Sequence, residues 1–138
     1  MANHVVARFA DGRVLKGTSL DVDPKGLTFH VGTSAGEMVE VTMADLKALF
    51  FVRSLSGNPD RSDAHDIAPT DPRIRGAKLV EVTFTDGEKI TALALRYPPN
   101  QPYFFLTPVD TGGNNIRILV NSGHIDTTKL VPPATGSR

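Results

Sequence analysis

Residues 5–17 read VVARFADGRVLKG, in which two apolar segments flank a turn-forming pair. The first segment, residues 5–9, has a composition that is typical of a strand. The pair Asp11-Gly12 supplies the backbone conformations that a tight hairpin turn requires. A second strand is expected from residue 13 to about residue 20. The stretch therefore predicts a β-hairpin near the start of the chain.

The same pattern occurs a second time in the chain. A shift of 75 positions places Val5 over Val80, and Asp11-Gly12 over Asp86-Gly87, without a gap. The other matched positions are also apolar or turn-forming: Phe9, Leu15, Leu20, Pro24, Phe29 and Val31 fall on Phe84, Ile90, Leu95, Pro99, Phe104 and Leu106. Beyond this stretch the match needs inserted residues and pairs 39–41 with 116–118 and 49–51 with 128–130. The chain therefore predicts two divergent copies of one unit, here called repeat one and repeat two.

Each repeat predicts five short strands and no sustained helical period. Proline ends the second strand, at Asp23-Pro24 in repeat one and at Pro98-Pro99 in repeat two, because it cannot donate to the ladder. A single helical turn is expected before each last strand, at residues 43–46 and 122–125. This layout is typical of small, strongly bent barrels, so we predict an all-β fold of two tandem SH3-like, five-stranded barrels.

The two repeats define the predicted domain boundaries. Residues 1–54 form the first small barrel, and residues 78–131 form the second. Residues 55–77 between them are rich in Gly, Pro, Ser and Asp, which predicts a linker or long loop. Residues 132–138 are expected to form a flexible tail. The linker is long enough for two separate barrels, for a packed pair or for strand exchange between chains.

The composition narrows the classes of function. The sequence contains no cysteine, so it has no thiolate zinc site and no thiol nucleophile. It carries 15 basic and 15 acidic residues, and each repeat is balanced, so the basic excess typical of nucleic-acid binders is missing. It has no apolar run of about 18 residues and no secretory pattern at its start, so we expect a cytoplasmic protein without a membrane partner.

The segment around the first hairpin, residues 6–31, resembles the first signature motif of the Sm-like proteins. That motif has an apolar strand, Asp-Gly-Arg, a glycine in the second strand and a following acidic residue, which are here residues 11–13, Gly17 and Asp21. Gly17 permits a sharp bend because it has no Cβ to clash across that bend. The resemblance implies a small barrel and, as an alternative function, RNA binding. The basic patch would then comprise Arg13, Lys16, Arg53 and Arg117.

The rest of the chain departs from that motif. The second motif of the Sm-like family, which helps to bind RNA, has no equivalent in residues 39–52. Repeat two carries Ala92 and Glu88 at the positions of the glycine and the arginine. At residues 103–108 and 114–117 it resembles small repeated barrel modules of uncharacterised bacterial proteins, and that resemblance implies no function.

No group of residues in the sequence matches the pattern of a metal-binding or catalytic site. The histidines have no ligand-like spacing; they are His4, His30, His65 and His124. An acidic cluster in the linker lacks the glycine-shaped register of a cation loop; it comprises Asp60, Asp63, His65 and Asp66. Ser122, His124 and Asp126 lie too close in sequence to form a supported triad. We predict no enzyme activity, no catalytic residue, no metal and no cofactor.

A second alternative function comes from Arg73-Ile74-Arg75-Gly76, just before repeat two. These residues resemble the flexible arginines with which PilZ domains capture cyclic di-GMP. The resemblance implies a β-barrel that binds a cyclic dinucleotide. The further PilZ pattern, Asp/Asn-x-Ser-x-x-Gly, does not occur in the sequence.

Adjacent aromatic residues are the candidates for interaction. They are Phe50 and Phe51 in repeat one, and Phe104 and Phe105 in repeat two. Neighbouring residues of a strand point to opposite faces, so we expect one of each pair to lie outward. Without a basic surround, an outward aromatic more often seals a protein contact than stacks on a base. We therefore predict a binding or assembly module that uses strand edges and these aromatics, with a protein or a second copy as its partner.

Overall fold

The computed structural model describes residues 3–56, 70–98 and 101–132 of the chain. Repeat one contains β1 (Asn3–Phe9), β2 (Val14–Ser19), β3 (Thr28–Gly32), β4 (Met38–Thr42) and β5 (Leu46–Val52). Repeat two contains β6 (Lys78–Phe84), β7 (Lys89–Ala94), β8 (Tyr103–Pro108), β9 (Asn115–Asn121) and β10 (Ile125–Leu130). The short 3-10 helices are η1 (Met43–Asp45), η2 (Pro72–Arg75) and η3 (Ser122–His124). The all-β prediction and the helical turn before each last strand are confirmed.

The hairpin turn of repeat one is a three-residue loop that ends in a glycine. Phe9 N donates to Arg13 O at 2.9 Å, and Gly12 N donates to Phe9 O at 3.1 Å. Gly12 has a φ of 95°, and Gly87 has a φ of 91° in the same turn of repeat two. Asp11 contributes differently, because its carboxylate accepts a hydrogen bond from Arg13 N at 3.0 Å. Only the glycine of the pair therefore needs the left-handed conformation.

The strands of both repeats form one continuous antiparallel sheet. Its order is β10-β6-β7-β8-β9-β5-β1-β2-β3-β4. Each repeat thus has the same internal order, last-first-second-third-fourth, and β5 and β9 join the two repeats. The sheet is not closed among the described residues, because β4 and β10 each have one neighbouring strand. The closure of each repeat into a barrel stays a prediction.

The strand register defines which residues of the two repeats are equivalent. Val5 lies opposite Phe51 in the β1–β5 pair, and its counterpart Val80 lies opposite Leu130 in the β6–β10 pair. Both pairs also contain an irregularity near the start of the last strand. The expected match of residues 49–51 with 128–130 is therefore confirmed.

The expected match of the fourth strands is wrong by two residues. Phe29 lies opposite Val41, and its counterpart Phe104 lies opposite Val120. Val41 is therefore equivalent to Val120 and not to Ile118. A two-residue shift leaves every side chain on the same face of the strand, so the apolar alternation does not distinguish the two registers.

Two hydrophobic cores meet at β5. Core one comprises Val5, Ala7, Phe29, Val31, Val41, Met43, Leu46, Leu49, Phe51 and Leu119. Core two comprises Ala48, Phe50, Val52, Val80, Val82, Phe84, Ala92, Ala94, Phe104, Leu106, Ile118 and Val120. Each core therefore takes side chains from both repeats. Strand β5 contributes alternate residues to the two cores, which explains why its apolar run is nearly continuous.

The end of the predicted linker contains η2, which the sequence did not indicate. Asp71 caps this 3-10 helix by accepting a hydrogen bond from Arg73 N at 2.9 Å. Ile74 packs on a small third cluster of repeat two that consists of Leu79, Leu93 and Val109. Residues 57–69 of the linker and 133–138 of the tail lie outside the described residues.

Candidate functional site at the strand edges

The junction between the repeats is the antiparallel pair of β5 and β9. Leu49 lies opposite Leu119, and Phe50 lies opposite Ile118. These four side chains are almost fully buried. The chain therefore already contains one strand-edge contact between two copies of the same unit.

Of the four candidate aromatics, Phe50 and Phe51 lie on β5 of this junction, whereas Phe104 and Phe105 lie on β8, which pairs with β9. Phe50 and Phe104 are each 8% exposed in core two, and Phe51 is 3% exposed in core one. Phe105 is half-buried, and its ring centroid is 6.1 Å from that of Phe51. The expectation of an outward aromatic is wrong for the pair Phe50 and Phe51, whereas Phe105 of the second pair is partly exposed. Neighbouring side chains do point to opposite faces, but a core covers each face of β5.

Arg117 covers the aromatic contact between the repeats. Its guanidinium carbon lies 4.5 Å from the ring centroid of Phe51 and 4.6 Å from that of Phe105. A guanidinium over an aromatic face is attracted by the negative charge of that face. Arg117 therefore contacts both repeats across the junction.

Two asparagines form hydrogen bonds between the repeats, one at each end of the junction. Asn114 Nδ2 donates to Ser54 O, and Ser54 N donates to Asn114 Oδ1, both at 3.0 Å. At the other end, Asn121 Nδ2 donates to Leu46 O at 2.8 Å. Asn121 is 8% exposed, so this bond satisfies a buried amide. Sequence reasoning missed both residues, because an asparagine beside a strand usually indicates only a turn.

Lys47 links the junction to the hairpin turn of repeat two. Its Nζ lies 2.7 Å from Asp86 Oδ2, also donates to Glu88, and stands 4.7 Å from the ring centroid of Phe84. Burial opposes the charge of Lys47, but the hydrogen bonds to the two carboxylates outweigh it and raise the pKa of Lys47. The hydrogen bond from Lys47 in turn lowers the pKa of Asp86. Asp86 thus has a role beyond its turn, where it accepts from Glu88 N at 3.0 Å.

We expect Asp86→Asn to reduce the loss of stability on acidification. The pKa of Asp86 in the folded chain lies below its ordinary value of 3.8, so folding favours the ionised carboxylate. Its stabilisation is present above that value and is lost as the pH falls through the lowered pKa. Asparagine keeps the oxygen that accepts from Glu88 N but offers Lys47 no charge. Urea unfolding at pH values from about 6 down to about 2 measures the effect, with exposed Asp126→Asn as the control. A parallel acid dependence of wild type and Asp86→Asn would contradict this role.

The four basic residues of the RNA alternative each have a partner within the chain. Arg13 Nε lies 2.7 Å from Asp11 Oδ2 at the first hairpin. Lys16 Nζ donates to the carbonyl of Leu55 at 3.2 Å. Arg53 donates to two carbonyls of the loop before β9, and Arg117 covers the aromatic contact.

Two of these cations, Lys16 and Arg117, lie on opposite faces of the sheet. Lys16 and Phe50 line the same cleft. Phe51 follows Phe50 on β5 and points to the opposite face, where Arg117 covers it. The structure therefore does not bring Lys16 and Arg117 together into one basic patch.

The first open edge is the outer side of β4. Met43 N donates to Leu27 O at 2.9 Å, and Thr33 N donates to Glu37 O at 2.8 Å. In an antiparallel pair the bonded residues alternate, so the odd-numbered residues of β4 face β3. The backbone groups of its even-numbered residues point away from the sheet; these residues are Met38, Glu40 and Thr42.

The second open edge is the outer side of β10. Val131 N donates to Leu79 O at 2.9 Å, so the odd-numbered residues of β10 face β6. The backbone groups of Thr128 and Leu130 therefore point outward. In agreement, the Thr128 carbonyl accepts a hydrogen bond from the Tyr97 hydroxyl at 3.2 Å. A carbonyl oxygen has two lone pairs, so this bond leaves one for another donor.

His30 lies beside the side chain of Glu40, the central residue of the β4 edge. Its Nε2 lies 3.7 Å from Glu40 Oε2, and its Nδ1 lies 2.7 Å from Asp21 Oδ2. The hydrogen bond to Asp21 raises the pKa of His30. His30 is exposed while Phe29 and Val31 are buried, which confirms that His30 faces away from the core.

Among the described residues, the other candidate sites do not bring further functional side chains together. Arg73, which the cyclic-dinucleotide alternative needs as a flexible residue, is paired with Asp71 at 2.9 Å. Ser122 and His124 belong to η3, the counterpart of η1. The cluster of Asp60, Asp63, His65 and Asp66 lies outside the described residues. Within the described ranges, no three His, Asp or Glu side chains are placed to hold a metal ion, and no helix is long and apolar enough to cross a membrane.

Comparison with known proteins gives one match. A family model described as "Family of unknown function (DUF6982)" matches residues 1–132, which is nearly the whole chain. No curated protein and no solved structure matches the sequence.

Proposed function

The chain belongs to this family of unknown function, and we propose that it is a non-enzymatic assembly module whose open strand edges bind a further protein strand. The observation that carries the proposal is the pair of open edges. Among the described strands, β4 and β10 alone have one neighbour, and each presents a row of backbone groups that point away from the sheet. Such a row is a template for β-augmentation, in which main-chain hydrogen bonds provide the affinity.

The barrel interpretation of each repeat is part of this proposal. The two separate cores support it, since each core lies mainly within the strands of one repeat. The RNA alternative has less support, because its four basic residues have partners and because Lys16 and Arg117 lie on opposite faces of the sheet. The cyclic-dinucleotide alternative has less support because Arg73 is paired with Asp71.

The proposal predicts that a proline at the β4 edge prevents association. The N–H of Glu40 points outward, so Glu40→Pro removes a donor from the docking edge and none from the β3–β4 ladder. Glu40→Ala is the matched control, because it removes the same side chain and keeps the N–H. By light scattering across a concentration series, we expect wild type and Glu40→Ala to exceed the chain mass of 14.8 kDa, whereas Glu40→Pro remains at that mass.

Two results would contradict the proposal for self-association. The first is a wild-type mass of one chain at every concentration. The second is equal association of Glu40→Pro and Glu40→Ala when circular dichroism shows both variants to be folded.

A further inference from the structure

We infer that the strand bound at these edges comes from a second copy of the chain, and that β10 of one copy pairs antiparallel with β4 of the next. This pairing would repeat between chains the β5–β9 junction that exists within the chain. The inference rests on the proposed function and adds the partner, the polarity and the register.

The first step is the equivalence of the strands. Strand β10 is the counterpart of β5, because Val80 faces Leu130 as Val5 faces Phe51. Strand β4 is likewise the counterpart of β9. The two strands that meet inside the chain are therefore a fifth and a fourth strand, and the two open edges are the remaining fifth and fourth strands. Each strand of the internal junction therefore has a counterpart at an end of the sheet: β10 corresponds to β5, and β4 corresponds to β9.

The second step concerns the backbone groups. At the junction Arg53 N donates to Asn114 O at 2.9 Å, so the odd-numbered residues of β5 face β9. Leu49 then faces Leu119, and Phe51 faces Arg117. These are the residues whose backbone groups carry the internal contact.

The same positions carry the outward groups of the open edges. Thr128 and Leu130 are the counterparts of Leu49 and Phe51, and Glu40 and Met38 are the counterparts of Leu119 and Arg117. All four point their N–H and C=O groups away from the sheet. The internal register therefore places Thr128 opposite Glu40 of the next copy, and Leu130 opposite its Met38.

The third step concerns the side chains. Met38 is 71% exposed and Leu130 is 53% exposed, so each open edge carries one large apolar side chain in water. The inferred register places these two directly opposite one another, where they cover each other's apolar surface. They occupy the positions at which Phe51 and Arg117 are in contact within the chain.

The contact between chains would be weaker than the internal junction. Thr128 and Lys129 replace Leu49 and Phe50 of β5, and Glu40 replaces Leu119 of β9. Polar and charged residues on an edge strand reduce unspecific pairing. We therefore expect association that depends on concentration rather than a permanent oligomer.

Pairing of two β4 edges with each other is less favourable. When the three outward residues of two β4 strands face each other, Glu40 lies opposite its own counterpart, and like charges directly opposite are destabilising. Head-to-tail pairing avoids this clash. It also leaves one free edge of each kind on every assembly, so further copies add until a ring closes or a filament forms.

The test is disulfide cross-linking, which this cysteine-free chain permits without background. We would prepare Met38→Cys and Leu130→Cys, mix them under mild oxidation and analyse the products without reductant. Directly opposite residues of an antiparallel pair have Cα atoms about 4.5–5.5 Å apart, which suits a disulfide. We expect a product of twice the 14.8 kDa chain mass in the mixture. We expect no such product when either variant is oxidised alone.

Leu20→Cys mixed with Leu130→Cys is the matched control, since Leu20 is 78% exposed and lies outside both edges. Equal cross-linking of the control mixture would show unspecific contact and overturn the inference. A mass above that of one chain, with cross-linking of Met38→Cys alone, would overturn the head-to-tail polarity but leave edge assembly in place. A mass of one chain throughout would overturn self-association itself.

Discussion

Phe51→Ala is expected to lower the free energy of unfolding by about 3–5 kcal/mol. The Phe51 ring is 3% exposed in core one, contacts Phe105 and lies under the Arg117 guanidinium. Alanine would leave a cavity at the point where repeat one meets repeat two, and both neighbours would lose their contact surface. Urea unfolding followed by circular dichroism measures the difference.

Leu130→Ala provides the matched control for this variant. Leu130 is the counterpart of Phe51 in repeat two, but it is 53% exposed at an open edge. At concentrations where the chain is a monomer, we expect its replacement to change stability by no more than about 0.5 kcal/mol. A loss for Phe51→Ala as small as that expected for Leu130→Ala would show that the junction adds little to stability.

Gly17→Ala is expected to destabilise the chain by about 3 kcal/mol. A Cβ at Gly17 would lie 2.2 Å from the carbonyl oxygen of Gly32 and 2.7 Å from Cγ1 of Val31. The first contact is with backbone, so β2 and β3 must move apart to relieve it. Thermal or urea unfolding of the folded variant measures the loss.

The control for Gly17→Ala is the reverse change in repeat two. Ala92 occupies the equivalent position and is 1% exposed, so a Cβ already fits there. We expect Ala92→Gly to cost only about 1 kcal/mol, mainly from the added freedom of the unfolded chain. If Gly17→Ala is the milder of the two changes, the close approach of β2 to β3 is not what requires glycine at position 17.

Local signals in the sequence were sufficient to predict the strands and the repeat. Asp11-Gly12 and Asp86-Gly87 mark the same turn in both copies, and the apolar alternation around them depends only on neighbouring residues. The burial of Val5 and Val80, which the repeat matched, agrees with this prediction. These features are predictable because a hairpin is determined over a few residues.

The candidate site was harder to predict because it depends on contacts between distant strands. Phe50 and Phe51 do alternate between faces, but only the β5–β9 pairing shows that both faces are covered. The same pairing gives Asn121 its buried role. No local pattern indicates which fifth strand lies inside the sheet and which lies at its end. The composition of β10 is a clue in retrospect, since Thr127, Thr128 and Lys129 stand where β5 has Ala48, Leu49 and Phe50.

Strand β5 is part of both hydrophobic cores, which couples the two repeats during folding. Because Phe50 belongs to core two and Phe51 to core one, removing β5 from one core also opens the other. Neither core is therefore complete within one repeat, since core one includes Leu119 of repeat two and core two includes Phe50 of repeat one. Substitutions in β5 are constrained by two interiors at once, whereas β10 lies at the margin of core two, where Ile125 packs.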